Sequence, residues 1–188
     1  MNNNWDTDNF DLAHLARQVI AIHICGYVNQ ENKGDEEGNP PTNHWAAFLQ
    51  HSEGLSVRLD MMPGYGSDGL RGEIEISSKD YASTNSAIKV LSFPVNVHAT
   101  VQTITDVIND KGRDRYTSTE EEEGCRYWIW NIVSDLEAAE IISTGSGEAA
   151  WGAVSCYWRY PSGSEPRAVK QGKFYVVGFA PRMILLPC

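Results

Sequence analysis

The chain has 188 residues, and 25 acidic against 15 basic side chains leave a formal net charge of −10, which excludes nucleic acid as a default partner because a polyanion is repelled. An apolar share of 41% with 10% aromatic residues closes a real core at this length and excludes a disordered chain. No run approaches the roughly 20 apolar residues of a membrane span, and MNNNWDTDNFDLAHLARQ lacks the basic-then-apolar order of a secretory signal, so the chain reads as soluble and cytoplasmic.

Residues 1–18 read as an N-terminal extension ahead of one domain whose core spans residues 19–180. Val19 to Val28 (VIAIHICGYV) is a continuous β-branched run, the pattern of a strand buried on both faces, with Cys25 and His23 inside it. A polar loop, Asn29 to Pro41, follows. His44 to Gln50 and Leu55 to Met61 are extended runs separated by His51-Ser52-Glu53-Gly54, which predicts an antiparallel hairpin. Pro63-Gly64-Tyr65-Gly66-Ser67-Asp68-Gly69 breaks the chain; with no Lys-Ser/Thr after it, it reads as a connection between strands and not as a phosphate loop.

Gly72 to Ser77 and Ala87 to Val95 predict two more strands. Thr100 then caps a helix reaching Lys111, with Val101, Ile104, Val107 and Ile108 on one face and Gly112 as its stop. A second helix runs from Cys125 to Ile142 on the stripe Ile129, Ile132, Val133 and Leu136. A third opens at Ser146 and passes through Trp151, Val154 and Tyr157 to Arg159, which places Cys156 in a helix and Trp128 and Trp151 at core spacing. Lys173 to Phe179 and Met183 to Leu186 close the chain as strands. Adjacent antiparallel strands with helices gathered late predict an α+β fold, an antiparallel sheet packed against helices.

Four cysteines (Cys25, Cys125, Cys156, Cys188) are widely spaced with no CxxC pair, so neither a zinc site nor a disulfide framework is predicted, and no cofactor is called for. Cys125 follows Gly124 at a helix start, where free backbone N–H groups and the helix dipole favour a thiolate and where its own N–H can bind an oxyanion. His44 heads a strand at the edge of a loop, a place from which an imidazole faces a cleft. If the hairpin turn centres near Ser52, opposed residue numbers sum to about 104 and Asp60 lies across from His44, able to hold its tautomer. Arg58 shares that face and can pair with Asp60. Other roles stand beside these: Cys125 lies on the apolar stripe as core filler, and His44 serves as a satisfied structural histidine. The run Glu120 to Glu123 opposes a thiolate unless Arg113, Arg115 or Arg126 neutralises it.

His44-Trp45-Ala46-Ala47-Phe48, the Val57 to Met61 return strand, Tyr116, and Gly124-Cys125-Arg126-Tyr127-Trp128 together resemble the circularly permuted papain-like group that includes the lecithin:retinol acyltransferase relatives and the PPPDE-type deconjugating peptidases. The resemblance covers about residues 43 to 142 and implies a permuted papain-like fold and thiol chemistry at Cys125 with His44 as base. Two departures stand out: Gly124 replaces the usual Asn, and Arg58/Asp60 replaces a second histidine on the return strand. Trp45, Tyr65, Arg126 and Tyr127 are the accompanying candidates for substrate binding. The stretches Pro40-Pro41-Thr42-Asn43-His44-Trp45, Arg58-Leu59-Asp60-Met61, Pro63-Gly64-Tyr65-Gly66 and Gly124-Cys125-Arg126-Tyr127-Trp128 also resemble a group of fungal proteins of undefined function, which implies a source and no chemistry.

Three functions remain open on these residues. One is a cysteine acyl-transfer enzyme (hydrolase, acyltransferase or cyclase) acting on a small-molecule or peptide-like substrate. Another is a binding module for a small molecule or protein partner on the same fold. The third is a lyase, cyclase or isomerase of secondary metabolism that uses His44 as a base without a covalent intermediate.

Overall fold

The structure is a computed structural model that describes residues 2–29, 34 and 41–176. Its elements in chain order are β1 (Trp5–Asp6), a 3-10 turn (Leu12–Ala16), β2 (Ala21–Val28), β3 (Asn43–Ser52), β4 (Leu55–Tyr65), β5 (Arg71–Lys79), β6 (Lys89–Pro94), α1 (Val101–Asp110), β7 (Tyr116–Thr117), α2 (Cys125–Ala138), α3 (Ser146–Val154), β8 (Cys156–Trp158), β9 (Ser164–Pro166) and β10 (Lys173–Phe174). The fold is α+β. An eight-stranded sheet in the order β10-β7-β5-β4-β3-β2-β6 is antiparallel throughout, except for β1, which lies parallel on β5, and β8 and β9 form a separate hairpin.

Strand periodicity divides this sheet into two chemically different faces. Ile22, Ile24, Trp45, Ala47, Leu49, Leu59, Met61, Ile74 and Ile76 point to one side and join Ile104, Ile108, Trp128, Ile129 and Ile132 of α1 and α2 in the main core. The opposite side holds a small second cluster of Cys25, Ala46 and Phe48, with Tyr27 and Ala87 against it. His44, Ala46 and Phe48 alternate along β3, so His44 belongs to this second side. β2 is therefore buried at Ile22 and Ile24 on one side and at Cys25 on the other, with His23 and Tyr27 only partly covered. His23 is half-buried and bonds Ser92 Oγ (2.7 Å) and Gln50 Oε1 (2.9 Å).

Several boundaries differ from the sequence expectations, each for an identifiable reason. Within the stretch read as an N-terminal extension, Trp5 is buried in the main core, pairs with Ile74, and donates its indole N–H to Asn109 Oδ1 at 3.0 Å. β4 continues through Pro63 and Gly64 to Tyr65, because a register irregularity between Met62 and Tyr65 accommodates the proline that would otherwise cost a ladder bond. α2 stops at Ala138, four residues before Ile142; Glu140 takes a left-handed conformation and the Ile141 N–H turns back to the Leu136 carbonyl at 3.0 Å. α3 ends at Val154, and Cys156 lies in β8, not in a helix. Trp151 is 38% exposed and not part of the core. The start and stop of α1 match the sequence expectation: Thr100 and Thr103 form a capping box, and Gly112 adopts φ +66. Most of the Asn29–Pro41 loop, the end of the Lys173–Phe179 strand, the Met183–Leu186 strand and Cys188 lie outside the described residues. Among the described residues no helix is long and apolar enough to cross a membrane.

Candidate active site

The hairpin β3–β4 sets the first two members of the site. Its turn is Glu53-Gly54, and Ala47 pairs with Leu59, Phe48 with Arg58, and Leu49 with Val57, so opposed numbers sum to 106 and not 104. A shift of two preserves the face of every side chain, whereas a shift of one would have reversed it. Asp60 thus sits diagonal to His44 on the same side, and its Oδ1 lies 2.6 Å from His44 Nε2. The other carboxylate oxygen accepts a hydrogen bond from Arg58, whose guanidinium also lies 3.7 Å from Glu75 Oε1. Asp60 is fully buried and His44 is 25% exposed, so the acid is held inside while the ring reaches the surface.

α2 brings the third member. Tyr116, fully buried, donates its hydroxyl to the Gly124 carbonyl at 3.0 Å and accepts the Gly172 N–H at 3.0 Å, which locks the residue ahead of Cys125. A β-carbon at position 124 would stand 2.8 Å from the Tyr116 ring, a contact only glycine avoids. No side chain caps α2, so its first N–H groups, including that of Cys125, have no intrahelical partner and no side-chain acceptor. Cys125 Sγ sits 3.9 Å from the carbonyl oxygen of Asn43, the residue before His44. Asn43 is itself fixed: its side chain donates to the carbonyls of Tyr27 and Trp158 and accepts the Trp158 N–H at 2.6 Å.

Electrostatics couple the thiol and the imidazole. Burial disfavours a charged His44, but the neighbouring Cys125 and the Asp60 hydrogen bond outweigh it and hold the imidazole well above its ordinary value. Asp60 occupies Nε2, which leaves Nδ1 as the other ring nitrogen. The acidic run does not oppose this arrangement as a bare charge. Glu123 is buried between Arg126 Nη2 (2.9 Å) and Arg167 Nη2 (2.6 Å), and exposed Glu121 faces Lys170. Of the three arginines named from sequence only Arg126 takes part, since Arg113 pairs with Asp135 and Arg115 with Asp114.

His44, Asp60 and Cys125 line one cavity of about 940 Å³, floored by Tyr27 and Phe48 and flanked by Tyr81. The four candidates for substrate binding fare differently. Trp45 is buried in the main core, where its ring fills the space a side chain at Gly26 would need. Tyr65 is exposed at the end of β4 beside Glu73, outside the cavity lining. Tyr127 faces a second groove on the far side of α2. Arg126 touches the cavity but spends its guanidinium on Glu123 and on the carbonyls of Val154, Arg167 and Ala168, a structural task. Sequence reasoning missed Asn43 and Arg167 as parts of the site, and read Glu123 only as part of an acidic run. The Glu123–Arg126 spacing of one helical turn was visible, but Arg167 arrives from a distant segment without local signal. Among the described residues no three His, Cys, Asp or Glu side chains converge on a point that could hold a metal ion.

A family model described as Domain of unknown function (DUF7770) matches residues 22–175, most of the chain, from β2 to just past β10. The chain belongs to that family. No curated protein and no solved structure matches it.

Proposed function

We propose that this member of the DUF7770 family is a cysteine-dependent acyl-transfer enzyme in which Cys125 is the nucleophile, His44 its base and Asp60 the residue that orients His44. The observation that carries the proposal is the buried Asp60–His44 hydrogen bond of 2.6 Å ending at a ring coupled to a thiol on an uncapped helix start. The resemblance to permuted papain-like proteins belongs to the same proposal: base before nucleophile in the chain, strand before helix. A cavity of about 940 Å³ suits a small-molecule or peptide-like substrate.

The chemistry follows from the placement. The Cys125 thiol gives its proton to His44 Nδ1 as Sγ attacks the substrate carbonyl, and the oxyanion turns toward the N–H groups at the start of α2. Collapse of the tetrahedral adduct breaks the bond to the leaving group, which takes the proton from His44 and departs. Water or a second nucleophile then attacks the thioester, passes its proton to His44, and restores the thiol as the acyl product leaves. Asp60 holds the ring in the tautomer that presents Nδ1 to the sulfur.

Intact-protein mass spectrometry after incubation with a panel of acyl thioesters and activated esters tests the proposal. The wild-type chain gains one acyl mass; Cys125→Ala gains none, and turnover falls by several orders of magnitude in both Cys125→Ala and His44→Ala. A Cys125→Ala protein that keeps full turnover ends the nucleophile assignment. Survival of Cys125→Ala alongside a dead His44→Ala identifies a base-only reaction instead.

A further inference from the structure

On the side of α2 away from the sheet, α2, α3 and Gln171 border a second, open groove of about 610 Å³. Its wall is aromatic. Tyr127 and Trp130 lie 5.6 Å apart, and Trp130 meets Trp151 edge-on at 4.9 Å and 63°. Trp151 is 38% exposed, although its helical spacing had predicted core, and it lines this groove.

The remaining lining decides the sign of the ligand. Glu137 and Glu148 are the charged side chains of this groove, and no lysine or arginine is among its described lining residues. Glu137 accepts the N–H groups of Gly147 (2.6 Å) and Gly145 (2.9 Å), which fix its carboxylate against the groove and hold it below the usual range. Glu148 is exposed in the first turn of α3, one turn before Trp151. Indole faces with fixed carboxylates beside them attract a weakly hydrated cation, whose charge meets the ring quadrupole while its alkyl groups replace water on apolar surface.

We propose that this groove binds a small organic ammonium ion, with the alkylated cationic head against Trp130 and Trp151 and its charge balanced by Glu137 and Glu148. The cavity is within the size range of small-molecule sites, and its mouth lies apart from the Cys125 cavity, with which it shares no lining residue. The inference does not depend on the acyl-transfer reaction.

Tryptophan fluorescence of the full chain, titrated with benzyltrimethylammonium and with its neutral tert-butyl isostere, provides the test. Saturable quenching by the cation is expected, with the neutral isostere and the Trp151→Ala and Glu148→Gln variants each weaker by about two- to five-fold, the size of one solvent-exposed cation–π contact. Trp151 packs on Trp130, whereas Glu148 is exposed, so Glu148→Gln keeps the test independent of any packing loss in Trp151→Ala. Equal binding of cation and isostere, unchanged affinity in Trp151→Ala, or no saturation up to about 10 mM overturns the proposal. Much tighter binding of a trimethyl-lysine peptide than of the free cation overturns the assignment to a small molecule.

Discussion

Replacing Asp60 with Asn tests the centre of the proposed site without changing its shape. The substitution removes the negative charge that receives both His44 and Arg58 on a fully buried carboxylate, while Glu75 remains 3.7 Å from the Arg58 guanidinium as a partial substitute. An amide offers one acceptor oxygen where the carboxylate offers two, so one of the two charge-assisted hydrogen bonds is lost and the other is weakened, and a loss of about 2–3 kcal/mol is expected, below the 3–5 kcal/mol that follows when a buried charge is left alone, because Glu75 still faces Arg58. At this chain length that is a fall in Tm of about 5–10 °C. The loss depends on pH in a definite direction. His44 titrates above its ordinary value in the folded protein, so its contribution to stability is fully present below about pH 6.5 and disappears as pH rises through the raised folded value. Asp60→Asn lowers that folded value, and the stability gap between wild type and variant therefore narrows as pH rises from 5.5 to 9. Urea denaturation at a series of pH values, with the His44 ring followed by NMR, measures both effects. A gap that stays constant or widens with pH, or an imidazole midpoint unmoved by the substitution, would refute the claim that Asp60 governs His44.

Other expected outcomes follow from contacts around the same centre. Gly124→Ala should cost about 1–3 kcal/mol in thermal denaturation, because its β-carbon would stand 2.8 Å from Tyr116, and the double variant with Tyr116→Ala should recover part of the overpacking term; an unaffected Gly124→Ala would mean the contact is not tight. Iodoacetamide followed by peptide mapping should modify half-buried Cys125 well before Cys25, whose thiol is fully buried and pushed up to about 12 by burial; first labelling at Cys25 would contradict its placement.

Much of the site was legible because its parts obey local rules. Alternation marked β3 and β4, the Glu53-Gly54 turn limited their offset, and period two ensured that a register misjudged by two residues still left Asp60 beside His44. Gly124-Cys125 announced a helix start by glycine and the apolar period that follows. What failed were assignments in which two segments compete for the same surface. Trp45 and Trp151 each fit a core pattern or a binding pattern, and the choice went one way for Trp45, which fills the gap over Gly26, and the other for Trp151, which α3 leaves facing outward.

The sequence by itself determined the α+β class, the strand face that carries His44 and Asp60, and the residue that opens α2, since each follows from side-chain period, turn chemistry or capping within a few neighbouring residues. Only the tertiary structure decided that Cys125 and His44, 81 positions apart (125 − 44), line one cavity, that Glu123 is neutralised by Arg167 from beyond β9, and that Trp5 completes the sheet core. Those contacts have no local signature: they arise when sheet and helices close on one another, and closing that surface settles which charged groups find partners and which apolar side chains remain outside.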